Sequence, residues 1–155
     1  MDKLAFNIHD KQNDNYQFKT VTILVNGKDI FELLKKYEMP FAIKEGSENI
    51  VGGYDGLAPE TLLKNLTSPD EFDIDENGKV SILECECGCE GCWPMKTKVI
   101  DLEDKIIWKE FEQPHRTIDC HNFWDYTNFG QFSFDKNNYK EQLDKLSQSK
   151  NNLTK

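Results

Sequence analysis

Nowhere in the chain do about 18 uncharged apolar residues follow one another, the length that a membrane-spanning helix requires. The opening stretch Met1-Asp2-Lys3-Leu4-Ala5-Phe6-Asn7 likewise lacks the apolar run of a secretory signal. These two absences predict a cytoplasmic protein with no membrane partner. A basic stripe is missing as well. Nineteen Lys and Arg stand against 28 Asp and Glu, for a net charge of −9, and no cluster of cations could displace counterions from a phosphate backbone. Direct nucleic-acid binding is therefore not expected, whereas an acidic surface favours solubility and fast encounter with another, basic protein. No internal repeat is present.

The sequence does hold ten Phe, five Tyr and three Trp in 155 residues, enough to fill one hydrophobic core. The predicted class is α+β. A mainly antiparallel sheet, with a meander in the C-terminal half, is packed with two or three short helices, and a cysteine knuckle lies between strands. Residues 1–146 are expected to form a single domain and residues 147–155 a polar tail that frays.

Local patterns place the elements. Residues 17–25 are β-branched and set Val21, Ile23 and Val25 on one face of a strand. Asn26-Gly27 ends it, and Asp29 with Glu32 forms a capping-box pattern for a helix over about 30–38, which Pro40 should stop. Residues 41–54 carry three glycines and read as an irregular loop. Gly52-Gly53-Tyr54-Asp55-Gly56 lacks the Lys-Ser or Lys-Thr of a phosphate cradle. A short helix is predicted over 59–66, strands over 79–85, 95–102, 105–111 and 129–134, and a last helix capped by Asp135 that buries Tyr139, Leu143 and Leu146.

The densest chemical signal is Cys85-Glu86-Cys87-Gly88-Cys89-Glu90-Gly91-Cys92, four of the chain's five cysteines on one glycine-containing bend. In a reducing compartment such crowding points to a metal more than to disulfides. Zinc takes four soft donors in a tetrahedron, and a turn can supply most of them. Cys85, Cys87 and Cys92 are the expected ligands, completed by Cys89 or by His115, with Cys120 and His121 as further candidates from the later loop. The same spacing is open to two other readings: buried free thiols, or a redox pair at Cys89 and Cys92. The redox reading lacks the helix N-terminus that usually activates such a pair, since Trp93-Pro94 follows.

A second metal pattern is weaker. Residues 73–84 carry oxygen donors at the first, third, fifth and last places of an EF-hand loop, with glycine at the sixth. The flanks are wrong for calcium: Ser68-Pro69-Asp70 interrupts the entering helix, and Val80-Ser81-Ile82-Leu83 reads as a strand. Asp75-Glu76-Asn77-Gly78-Lys79 is an ordinary hairpin turn, so Ca2+ is not expected there.

The loop that runs from Phe111-Glu112-Gln113-Pro114-His115-Arg116 to Trp124-Asp125-Tyr126 mixes polar and aromatic side chains. His115, Arg116, Trp124 and Tyr126 are candidate binding residues. Without triad spacing no catalytic residue is assigned, and Arg116 is expected to pair with a carboxylate while Trp124, Tyr126 and Phe129 close the end of the sheet.

Three strings in this half, from Cys85 to Pro94, from Phe111 to Arg116 and from Trp124 to Asp135, resemble a family of small uncharacterised bacterial proteins. The resemblance implies a knuckle following a hairpin and does not require Cys89, and this chain has Gln131 where the family pattern has Pro. It implies no activity. The expected function is a non-enzymatic protein-binding module with a structural Zn2+ knuckle, such as an immunity or inhibitor protein. The alternative is a metal-dependent enzyme or small-molecule binder that uses the His115-Arg116 loop beside the cysteines.

Overall fold

Alternating apolar residues at Leu4, Phe6 and Ile8 open the chain as a strand, β1 (Leu4–Asn13), which pairs antiparallel along its whole length with β2 (Tyr16–Val25). A computed structural model describes residues 1–14, 16–87 and 91–153. The two-residue β3 (Lys28–Asp29) folds back on β2 to finish a three-stranded sheet. β1 was not among the predicted strands, although its inward residues alternate as a half-buried strand should.

Asp29 then caps helix α1 (Ile30–Glu45), its carboxylate accepting the Phe31 amide. The helix runs through Pro40 instead of stopping before it. A proline inside a helix forfeits one backbone hydrogen bond, and here tertiary packing outweighs that loss. Ile30, Leu34, Glu38 and Ala42 form one buried stripe four residues apart, and Glu45 in the last turn is gripped from the far side of the molecule. Gly46, at φ 77°, ends the helix by donating its amide to the carbonyls of Ala42 and Ile43.

The segment predicted as an irregular loop therefore contains helix up to Glu45, a 3-10 turn at Glu48–Ile50 and a short strand, β4 (Tyr54–Gly56). β4 opens a five-stranded antiparallel meander. After α2 (Pro59–Thr67) come β5 (Lys79–Cys85), β6 (Met95–Asp101), β7 (Lys105–Glu112) and β8 (Phe132–Asp135), side by side in chain order. The mixed α+β class and the C-terminal meander are as predicted, with the cysteines between β5 and β6. Asp75 makes the predicted hairpin turn, donating its amide to the Lys79 carbonyl while its carboxylate accepts the amides of Asn77 and Lys79. β8 starts three residues later than expected because residues 127–129 form a 3-10 turn that ends at Gly130, φ 94°.

The last helix, α3 (Lys136–Leu153), continues through 147–153. It lies against the open edge of β1. Asn138 accepts the Leu4 amide and donates to its carbonyl, and Gln142 accepts the Phe6 amide, so side chains stand in for a missing neighbour strand. The two sheets meet where Val21 donates to the Leu57 carbonyl and Asp2 donates to Ser133. Around Trp108 the core is aromatic: Phe134 packs edge-on at 5.1 Å, and the indole donates to the Tyr139 hydroxyl at 3.0 Å.

Candidate metal centre and the network behind it

β5 ends on Cys85, the chain turns, and Trp93-Pro94 leads into β6 at Met95. This hairpin connection brings the sulfurs of Cys85, Cys87 and Cys92 within 4.8 Å of one another. Among the described residues none of the three is in a disulfide, and Cys87 and Cys92 are exposed. In a tetrahedral zinc thiolate, bonds of about 2.3 Å separate the sulfurs by about 3.8 Å, a spacing that small side-chain rotations reach from here. Hydrogen bonding to Cys85 and then Cys87 pushes the Cys92 thiol up to about 12. Thiols this close resist ionising together unless a cation sits among them, and a thiolate-binding metal reverses that preference. Three soft donors on one turn fit zinc as a class of ligand.

The predicted fourth donor Cys89 lies outside the described residues. His115, the other candidate, is not among the three clustered thiols. Its Nε2 lies 3.0 Å from the Gly91 carbonyl, to which it donates, and its ring stacks on Trp93 with an interplanar angle of 9°. It touches the knuckle's backbone beside Cys92. Cys120 sits 3.5 Å from the Thr117 hydroxyl, apart from the cluster, and His121 is exposed.

Arg116 does what its surroundings in sequence suggested. Its Nε and one terminal nitrogen donate to the two Glu45 carboxylate oxygens, each at 3.2 Å. The guanidinium also stacks over Trp93 at 5.2 Å and Trp124 at 5.5 Å. Burial pulls the Glu45 carboxyl upward, but donation from Arg116, Ser47 and the Trp124 indole holds it below the usual carboxylate range.

Behind this lies a network that sequence reasoning missed. Glu38, 0% exposed, receives hydrogen bonds on one carboxylate oxygen from Tyr54 at 2.5 Å and Tyr126 at 2.6 Å. Gln113, equally buried, donates to the Tyr54 hydroxyl and to the Pro94 carbonyl, while its own carbonyl accepts the His115 amide. A continuous chain of hydrogen bonds thus runs from α1 to the base of the knuckle. Burial lifts the Glu38 carboxyl from 4.5 to about 7 against the pull of its two phenol donors. Among the described residues, its second oxygen and the Trp93 indole nitrogen are both buried without a hydrogen-bond partner. The signal for Glu38 was an acid in register with Ile30, Leu34 and Ala42, hidden once the helix was cut at Pro40.

The EF-hand-like stretch runs as a turn into β5. Its first and third carboxylates, Asp73 and Asp75, lie 3.1 Å from Lys64 and 3.5 Å from Lys96. An open cleft of about 740 Å3 lies between β7, the Asp75 turn and the 117–127 loop. Arg116, Trp124 and Tyr126 line it; His115 and the clustered cysteines do not. Among the described residues no helix is long and apolar enough to cross a membrane. Fold and site together define an α+β protein with a three-thiol hairpin knuckle. Comparison with family models, curated proteins and solved structures finds no match to this chain.

Proposed function

We propose that the protein is a non-enzymatic protein-binding module whose fold is clamped by a structural zinc ion at Cys85, Cys87 and Cys92. The observation that carries the metal half of this reading is the convergence of those three sulfurs within 4.8 Å on a hairpin tied to the core. The chemistry-bearing side chains of the late loop support a scaffold. Arg116 is committed to Glu45, Tyr126 to Glu38, and His115 to the knuckle backbone. A metal-dependent active site would need His115, Arg116 and the thiols around one cavity, whereas the cleft that Arg116 lines contains neither His115 nor the cysteines.

Cobalt(II) substitution tests the metal half. The reading predicts the intense visible ligand-field bands of a tetrahedral thiolate site, saturating at one equivalent and abolished in Cys92→Ser. Weak bands of octahedral cobalt, unchanged in the variant, would remove the site.

A further inference from the structure

Three observations meet in the cleft between β7 and the 117–127 loop, and none is needed by the metal site. The first is apolar exposure. Ile118 is 76% exposed and Phe123 43%, and both line this cleft, above a floor that includes the buried Phe111. Two large apolar side chains held in water at one depression mark a surface more often covered than bare.

The second is charge. Three cations line the cleft: Lys79 is matched by Glu112 at 3.1 Å, Arg116 by Glu45 at 3.2 Å and, more loosely, Lys109 by Glu110 at 3.9 Å. Glu76, Asp119 and Asp125 also line it and, among the described residues, form no ion pair. Asp125 stays ionised, its carboxyl held below the usual range by donation from the Thr127 hydroxyl and amide. The cleft therefore presents surplus negative charge around an apolar centre.

The third is backbone geometry. Where β6 and β7 lose register, Glu110 adopts φ 54°, a left-handed conformation that a side-chain-bearing residue rarely takes. Bulges re-aim a side chain, and this one puts another carboxylate on the cleft, with Lys109 at 3.9 Å as its one ion-pair partner among the described residues. A glycine there would relieve the strain but remove the charge.

We infer that this cleft is the docking surface for a partner protein that presents an apolar side chain flanked by Lys or Arg. The inference rests on the binding-module reading and supplies its surface and the chemistry of its partner. Ile118 and Phe123 grip the apolar group, and Glu76, Glu110, Asp119 and Asp125 meet the cations. Charge complementarity of this kind raises association rates and makes affinity fall with salt.

The test is a heteronuclear NMR titration of the zinc-loaded 155-residue chain with a short peptide probe carrying one phenylalanine between pairs of lysines. Controls replace the lysines with glutamates or the phenylalanine with serine. Shifts should gather at residues 76, 110 and 117–125, weaken with added salt, and be absent with the glutamate control. The double variant Ile118→Ser, Phe123→Ser changes only exposed side chains and should lower affinity by about tenfold or more, roughly the loss of one buried apolar contact. If the double variant has lost its native amide spectrum, Asp119→Lys, an exposed change on the charged rim, replaces it and should weaken the lysine probe while leaving the spectrum intact. Shifts that map to another face would overturn the cleft assignment and leave the binding-module reading standing. Equal binding of the glutamate control, or no binding at millimolar probe, would overturn the inference outright. Zinc content measured on the same sample separates either failure from failure of the metal site.

Discussion

Glu38 sits where a leucine would be expected, third in a buried stripe of α1, and its ionisation must be reconciled with complete burial. In the unfolded chain its carboxyl titrates near 4.5, and in the fold near 7. The folded state thus holds the proton more tightly. The stabilisation is fully present below about pH 4.5 and is lost as pH rises towards 7, a change of about 3 kcal/mol. Glu38→Gln keeps an acceptor for Tyr54 and Tyr126 but cannot ionise. Urea unfolding of the metal-loaded proteins at pH 5 and pH 8 should show the wild type losing about 2.5 kcal/mol relative to the variant across that interval. Parallel behaviour of the two proteins would mean that Glu38 does not titrate in this window. At this scale the sequence was only partly legible. That Arg116 needs a carboxylate follows from its chemistry, but Glu45 is 71 residues away, and only folding decides which acid meets it. Gln113 and His115 lie two residues apart in sequence and serve different partners for the same reason.

Elements with strong local signals were read correctly: β2, the three long strands of the meander and the Asp75 hairpin all carry alternation or turn chemistry within a few residues. Elements whose stability comes from distant contacts were not. α1 persists past Pro40 because Ala42 and Glu45 gain partners on the other side of the core, a benefit invisible to propensity. β4 is three residues long and exists because the chain must pass close to β2: a Cβ on Gly56 would run into the backbone of Val21, including its carbonyl oxygen. Nothing in Gly56 itself distinguishes it from the glycines around it. Gly56→Ala should therefore cost on the order of 2 kcal/mol or more by forcing the two sheets apart, read as a lowered thermal midpoint. Gly78→Ala, where the nearest atom is the flexible end of Lys98 at 3.7 Å, gives a comparison in which only the left-handed turn is strained. If Gly56→Ala proves the milder of the two, the close approach of β4 to β2 is not a constraint on the fold.

Over the whole molecule, the hairpin knuckle stands at the end of a hydrogen-bond chain that begins on α1, passes through Tyr54 and Gln113, and reaches Pro94 just before β6. Metal bound at the knuckle would fix the turn to which that chain is anchored, so its loss should be felt in α1 as well as in the hairpin. The knuckle was legible because its clustered thiols, Cys85, Cys87 and Cys92, are close together in the sequence. The cleft was not, since β7, the Asp75 turn and the 117–127 loop contribute to it from separate parts of the chain. The claim on which the account turns is that the clustered sulfurs hold zinc. Elemental analysis of protein purified without metal-affinity steps tests this directly. The account predicts about one zinc per chain in the wild type and near none in Cys85→Ser and Cys92→Ser, with lowered thermal midpoints in both variants. Wild-type protein that stays metal-free after incubation with zinc under reducing conditions, with midpoints equal to those of the variants, would contradict it.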